Sequence, residues 1–138
     1  MKLNKKAAAL VAGVMMLGAV GTASAAGIGY VNSSALMQAH PRMERAQLDL
    51  RNAAQKAEEN FNKRSQGKSD AEKQQIFQEI QRDLATKERA AIQPIQQDVM
   101  KAIQEVRREK GLDVILDISS VIDGGSDVTD AVRAKIAK

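Results

Sequence analysis

The chain has 138 residues, the length of one domain, with 43% apolar, 28% charged and only 2% aromatic side chains. It has no cysteine and one histidine, which excludes disulfides, thiolate or multi-histidine metal sites, a cysteine nucleophile and a lipid-bearing cysteine. Tyr30, Phe61 and Phe77 are its only aromatic residues, too few for a large aromatic core or a base-stacking surface.

Lys2, Lys5 and Lys6 precede an apolar run from Ala7 to Val20, and an A-x-A site follows at Ala23-Ser24-Ala25. This order predicts a secretory signal peptide over residues 1–25, with an exported mature chain starting at Ala26. The apolar run has 14 residues, short of the about 20 that a membrane-spanning helix needs. The formal charge of +4 falls to +1 once the three leader lysines are gone. That near-neutral balance and the lack of aromatics argue against nucleic acid as a partner.

Ile28-Gly29-Tyr30-Val31 predicts a short strand. Asn32-Ser33-Ser34 then offers helix caps ahead of Ala35 to Ala39. Pro41 disfavours helix at His40, so either the chain bends there or a new helix opens with Pro41 in its first turn. From Pro41 to about Arg64, Met43, Ala46, Leu50, Ala53 and Ala57 recur at steps of three and four, a thin and mostly alanine seam. Gly67 interrupts it, and Ser69-Asp70-Ala71-Glu72 is a capping box that opens a second helix. Ile80, Leu84, Ala91, Ile95, Val99 and Val106 carry that helix to Lys110, where Gly111 stops it.

Two long helices joined by a short polar turn predict an antiparallel hairpin. Counting outwards from Gly67 sets Pro41 and Pro94 at the same height, a shoulder between arm and body. The arm is then ~36 Å long at about 1.5 Å per residue. Leu112 to Ile118 predicts a second strand, and a third is expected over Ser119–Asp123 before the Gly124-Gly125 turn. Thr129 is the expected cap of a last helix, Ala131 to Lys138. The fold class is therefore α+β and mostly helical: a small β body of residues 26–40 and 95–138, with a helical hairpin arm, 41–94, inserted into it. So small a body with unpaired strand edges favours association of several chains.

These pieces, in order, resemble the OmpH/Skp family of periplasmic chaperones. The resemblance rests on Ile28-Gly29-Tyr30-Val31-Asn32, Ser34 to Met37, His40-Pro41, Gly111 to Asp117, and Asp127 to Val132. It implies a tentacled homotrimer in the periplasm, its hairpins hanging from a shared β-barrel and holding unfolded outer-membrane proteins between them. It also implies no cofactor, no nucleotide and no covalent step. Asn32 departs from the acidic residue expected there, and the arm is shorter than in the best-known member.

Within that frame the body strands nominate Ile28, Val31, Val114, Leu116 and Ile118 as the trimer core. Folding the hairpin at Gly67 brings Phe77 near Phe61. Ile76 and Phe77 point about 100° apart, so one thin seam cannot hold both. With Leu48 beside the seam, Phe61, Ile76 and Phe77 are the candidate client contacts. Lys63, Arg64, Lys68 and Lys73 outnumber Asp70 and Glu72 at the tip, a candidate contact for anionic lipid, lipopolysaccharide or acidic surfaces, weighed against simple solvation. His40 is read as a helix-end residue before a proline, with pH sensing as the alternative. No nucleophile–base–orienter set, phosphate loop or metal cluster is present in the pattern. The competing reading is a structural or tethering coiled-coil protein of the cell envelope, which would bind one folded partner rather than many unfolded ones.

Overall fold

A computed structural model describes residues 27–137. The expected leader over residues 1–25 and the mature start at Ala26 lie outside the described residues. The elements are β1 (Ile28–Val31), α1 (Ser33–Gln38), α2 (Met43–Arg64), α3 (Asp70–Glu109), β2 (Val114–Asp117), β3 (Ser126–Asp127) and α4 (Thr129–Ile136). A single 3-10 turn, Ile118–Ser120, follows β2. The described residues are mostly helical and form one small sheet. Among the described residues, no helix is long and apolar enough to cross a membrane.

Local chemistry sets most of these boundaries. Asn32 Oδ1 accepts the Ala35 N–H at 2.9 Å and opens α1. At the head of α3 the Ser69 hydroxyl accepts the Glu72 N–H at 3.3 Å while the Glu72 carboxylate accepts the Ser69 N–H at 2.9 Å, the reciprocal pair of a capping box. The helix then runs unbroken through Pro94. It stops where Gly111 takes a φ of 63°, letting the Gly111 and Leu112 N–H groups turn back onto the carbonyls of Arg108 and Arg107. Pro41 heads no helix: residues 39–42 form a turn and α2 begins at Met43.

The sheet is wholly parallel in the order β2-β1-β3. Ile28 faces Val114 and Tyr30 faces Leu116 across one ladder, and Gly29 faces Ser126 across the other. One face is covered by α1, α3 and α4 through Val31, Leu36, Val99, Ala102, Val106, Val128 and Val132. Leu36 and Val132 are completely buried, each contributing roughly 1.5–3 kcal/mol by leaving water. Gly29 lies on this covered face, where a Cβ would come 2.7 Å from Leu112 Cδ1 and force that side chain to shift.

Three expectations are corrected. The third strand is not at Ser119–Asp123 but at Ser126–Asp127, beyond the Gly124-Gly125 turn. The reason is Asp117, whose Oδ1 accepts the Ser119 N–H at 2.9 Å and its hydroxyl at 2.6 Å, winding the chain into a 3-10 turn. Ile118 belongs to that turn and not to β2. Thr129 is the first residue of α4 rather than its cap; its hydroxyl accepts the Asn32 N–H at 3.1 Å and donates to Asp127 Oδ1 at 2.6 Å, joining β1 to the start of α4.

Candidate functional site

The hairpin of α2 and α3 turns at Gly67, whose φ of 68° suits glycine. Its seam is tight at the root, where Met43 and Ala46 pack on Ile95. Towards the tip it loosens: Leu50, Ala53, Ala57 and Phe61 are only half-buried, and Ile80 is the one buried residue of that stretch. Phe61 and Phe77 meet edge to face with ring centroids 6.2 Å apart. Phe77 nevertheless remains 48% exposed while Ile76 is half-buried, so Phe77 is the one the thin seam leaves outside.

The two flanks of the tip differ. On one, Ala54, Ala57, Phe61, Phe77, Ile80 and Leu84 line an apolar recess of about 260 Å³. On the other, Arg64 pairs with Glu79 at 2.7 Å and Lys68 lies 3.5 Å from Glu72, with Ile76 beside them. The Arg64 guanidinium holds the Glu79 carboxyl below its ordinary range. The Ser69 backbone N–H does the same for Glu72. Two of the four nominated tip cations are thus paired locally, whereas Lys63 and Lys73 make no ion pair among the described residues. Leu48 is not beside the seam. It lies about 200° around α2 from both Ala46 and Leu50, exposed on the opposite side and away from the recess.

A second apolar surface lies on the body. Ile28, Val114 and Leu116 project from the uncovered face of the sheet at 44%, 37% and 37% exposure, with Tyr30 half-buried among them and Ile118 just beyond the strand end. Val31 does not belong to this surface: alternation along β1 turns it into the protomer's own core. Among the described residues, the outer edge of β2 carries no strand. Alongside it, Met37, Val99, Met100, Ile103, Ile115 and Leu116 line an apolar groove. Met100 in this groove and the exposed Ile122 escaped the sequence reading. Met100 was signalled only as an apolar residue directly after the seam residue Val99.

Arm and body meet at His40. Its imidazole is buried, with Nδ1 accepting the Arg42 N–H at 3.1 Å and Nε2 3.4 Å from Asp98 Oδ2. The Arg42 guanidinium also binds that carboxylate, holding the Asp98 carboxyl below its ordinary range. No group of three potential metal ligands occurs among the described residues.

Residues 66–136, from the hairpin turn to the end of α4, match the family model described as Outer membrane protein (OmpH-like). The chain belongs to the OmpH-like family. No curated protein matches it. OmpH-like proteins are periplasmic chaperones, not enzymes, and bind unfolded outer-membrane proteins. The matched stretch contains the recess residues Phe77, Ile80 and Leu84, the strand β2 and Asp98 of the shoulder.

Proposed function

We propose that this chain is an ATP-independent periplasmic holdase that keeps unfolded outer-membrane β-barrel proteins from aggregating by sheltering them between helical arms. The observation that carries the reading is the half-packed tip of an OmpH-like hairpin, where Phe77 stands at the mouth of a one-sided apolar recess. A seam with so little buried area holds its helices loosely, so the arm adapts to different chains without a fixed pocket. Phe61, Phe77 and, more weakly, Ile76 and Leu48 are the client contacts in this reading. Lys63 and Lys73 are the tip cations free to meet acidic segments, anionic lipid or lipopolysaccharide.

The same proposal takes residues 26–40 and 95–138 as a trimerisation body and 41–94 as the arm. Ile28, Val114, Leu116 and Ile118 would line the shared core of three bodies, since an apolar sheet face with a free edge favours a protein neighbour over water. Secretion by a cleaved leader would bring the chain to the periplasm. Release needs no nucleotide if the client gains more by folding into the membrane than it loses on leaving the arms.

The test is dilution of a denatured outer-membrane barrel into the mature protein, with light scattering as readout. Full-length protein should keep the barrel soluble. A variant with residues 42–93 replaced by a short Gly-Ser linker should still assemble but lose this protection. If the armless variant protects equally well, the arms are not the client site and a body-centred tether becomes the better reading.

A further inference from the structure

Across the hairpin from Phe77 and Leu84, Ala54 and Ala57 are too small to fill the seam, and the recess of about 260 Å³ is the space they leave open. That volume is below the roughly 300–1,000 Å³ of a small-molecule pocket. The recess reaches from Ala54 to Phe61 along α2 and from Phe77 to Leu84 along α3, about 10 Å at about 1.5 Å per residue. A patch of this length falls far short of the about 800 Å² per partner that a folded protein or a second arm buries in a stable interface. The space suits one large side chain. Phe61 and Phe77 meet at 81° between ring planes, and Phe77, still half exposed, leaves that edge-to-face packing open at one end. The lining is apolar except for Glu58 and Gln81, both exposed.

We propose that this recess reads aromatic side chains: it takes one tyrosine or tryptophan from the lipid-facing side of an unfolded barrel strand. A third ring laid against Phe77 continues the edge-to-face packing, which an aliphatic side chain cannot do. The polar tip of tyrosine or tryptophan, an O–H or an N–H, finds the Glu58 carboxylate or the Gln81 side-chain carbonyl as acceptor at the rim. At about 3.3 Å per residue, three extended residues span the recess, so a ring and the side chain two positions on enter together. Transmembrane β-strands carry this pattern: apolar side chains alternate outwards, and girdles of aromatic residues flank the apolar band. The inference rests on the holdase reading and names what the arm tip recognises. A client folding into the membrane moves its ring from Phe77 to the lipid interface, where tyrosine and tryptophan are favoured.

The chain contains no tryptophan, so the indole of a bound peptide is a clean fluorescent probe on the full mature protein. Peptides of about ten residues, the length of one barrel strand, would alternate serine and valine. One central valine would be replaced by tryptophan, tyrosine, leucine or arginine, and competition against the tryptophan peptide ranks the others. Tryptophan and tyrosine should bind about fivefold more tightly than leucine. The bound indole should emit at shorter wavelength and show nuclear Overhauser contacts to Phe77 and Leu84. Moving the ring to a central serine position, so that its neighbours two positions away are polar, should weaken binding about threefold. Phe77→Leu should erase the aromatic preference and leave the leucine peptide bound as before. Equal binding of leucine, tighter binding of arginine, indifference to the ring's position, an indole in contact with other residues, or no binding at millimolar peptide would each overturn the proposal. So would an aromatic preference that survives in Phe77→Leu; the wild-type ranking and contacts decide even if that variant fails to fold. Protection of a diluted barrel, measured alongside, keeps the two readings apart. Protection with a flat peptide ranking removes the aromatic site alone, whereas an intact ranking without protection removes the holdase alone.

Discussion

Asp117 holds three segments with one carboxylate. Oδ1 takes the Ser119 N–H and hydroxyl; Oδ2 takes the Ser33 N–H at 3.2 Å and the Ser33 hydroxyl, fastening the end of β2 to the head of α1. The Ser119 hydroxyl first, then the backbone N–H groups of Ser119 and Ser33, keep this carboxyl below its ordinary range. Asp127 is lowered in the same way by Thr129, and Asp98 by Arg42. A carboxyl depressed in the folded state adds stability above its unfolded pKa of about 4 and loses it as pH falls through the folded value. The thermal midpoint should therefore be flat near neutrality and decline below about pH 5. Asp117→Asn should lower the midpoint at pH 7 and make the acid decline shallower, because one of the groups responsible is gone. Calorimetry across pH on both proteins checks this; identical slopes would remove Asp117 from the set.

At the scale of elements, the entry to α3 offers a local test. Ser69→Ala removes the capping hydroxyl at an exposed site, which typically costs about 1 kcal/mol. The loss should appear as faster hydrogen exchange in the first turn of α3 and at the hairpin turn, with the amides of β1 and α4 unchanged. Both ends of α3 were legible because they are written in short-range chemistry: a capping box at Ser69 and Glu72, and a glycine at 111. The meeting of Phe61 with Phe77 was legible too, since it needs only a turn position and helical spacing. What failed depends on partners distant in sequence or on side chains that compete with the backbone. Val121 and Ile122 look like strand residues, yet Asp117 captures Ser119 first and the sheet takes up the chain only after two glycines with φ of 81° and 84°. Thr129 reads as a cap but spends its hydroxyl on Asn32, 97 residues away. Leu48 was misplaced by proximity in sequence; two residues from Leu50 on a helix means the far side. The parallel sense of the sheet was beyond reach, because runs as short as β1, β2 and β3 do not specify their partners.

For the whole molecule, the uncovered sheet face sets the expectation about assembly. Val114 is 37% exposed and lies opposite Ile28 in the ladder. An aspartate there is tolerable in a solvated protomer but becomes an unpaired buried charge if a second copy covers the face. Val114→Asp should therefore keep the helical circular dichroism signal of the wild type while its mass by light scattering falls to that of one chain. A wild type already monomeric at micromolar concentration would refute the shared core. The covered face gives no such separation, since Leu36 or Val132 exchanged for a charge would damage the protomer itself.

The central position of β1 also dictates when the fold can close. β1 is made first, yet its ladder partners begin at Val114 and Ser126, and Gly27 bonds to a carboxylate 86 positions later. The helical hairpin depends only on neighbours across a short turn, so it can form while synthesis is still under way. The body cannot, because its middle strand waits for both flanks. A chain growing from its N-terminus therefore carries β1 without its full set of partners until Ser126 and Asp127 have appeared. If the leader directs secretion, that delay keeps the leading segment threadable for as long as the trailing one is unfinished.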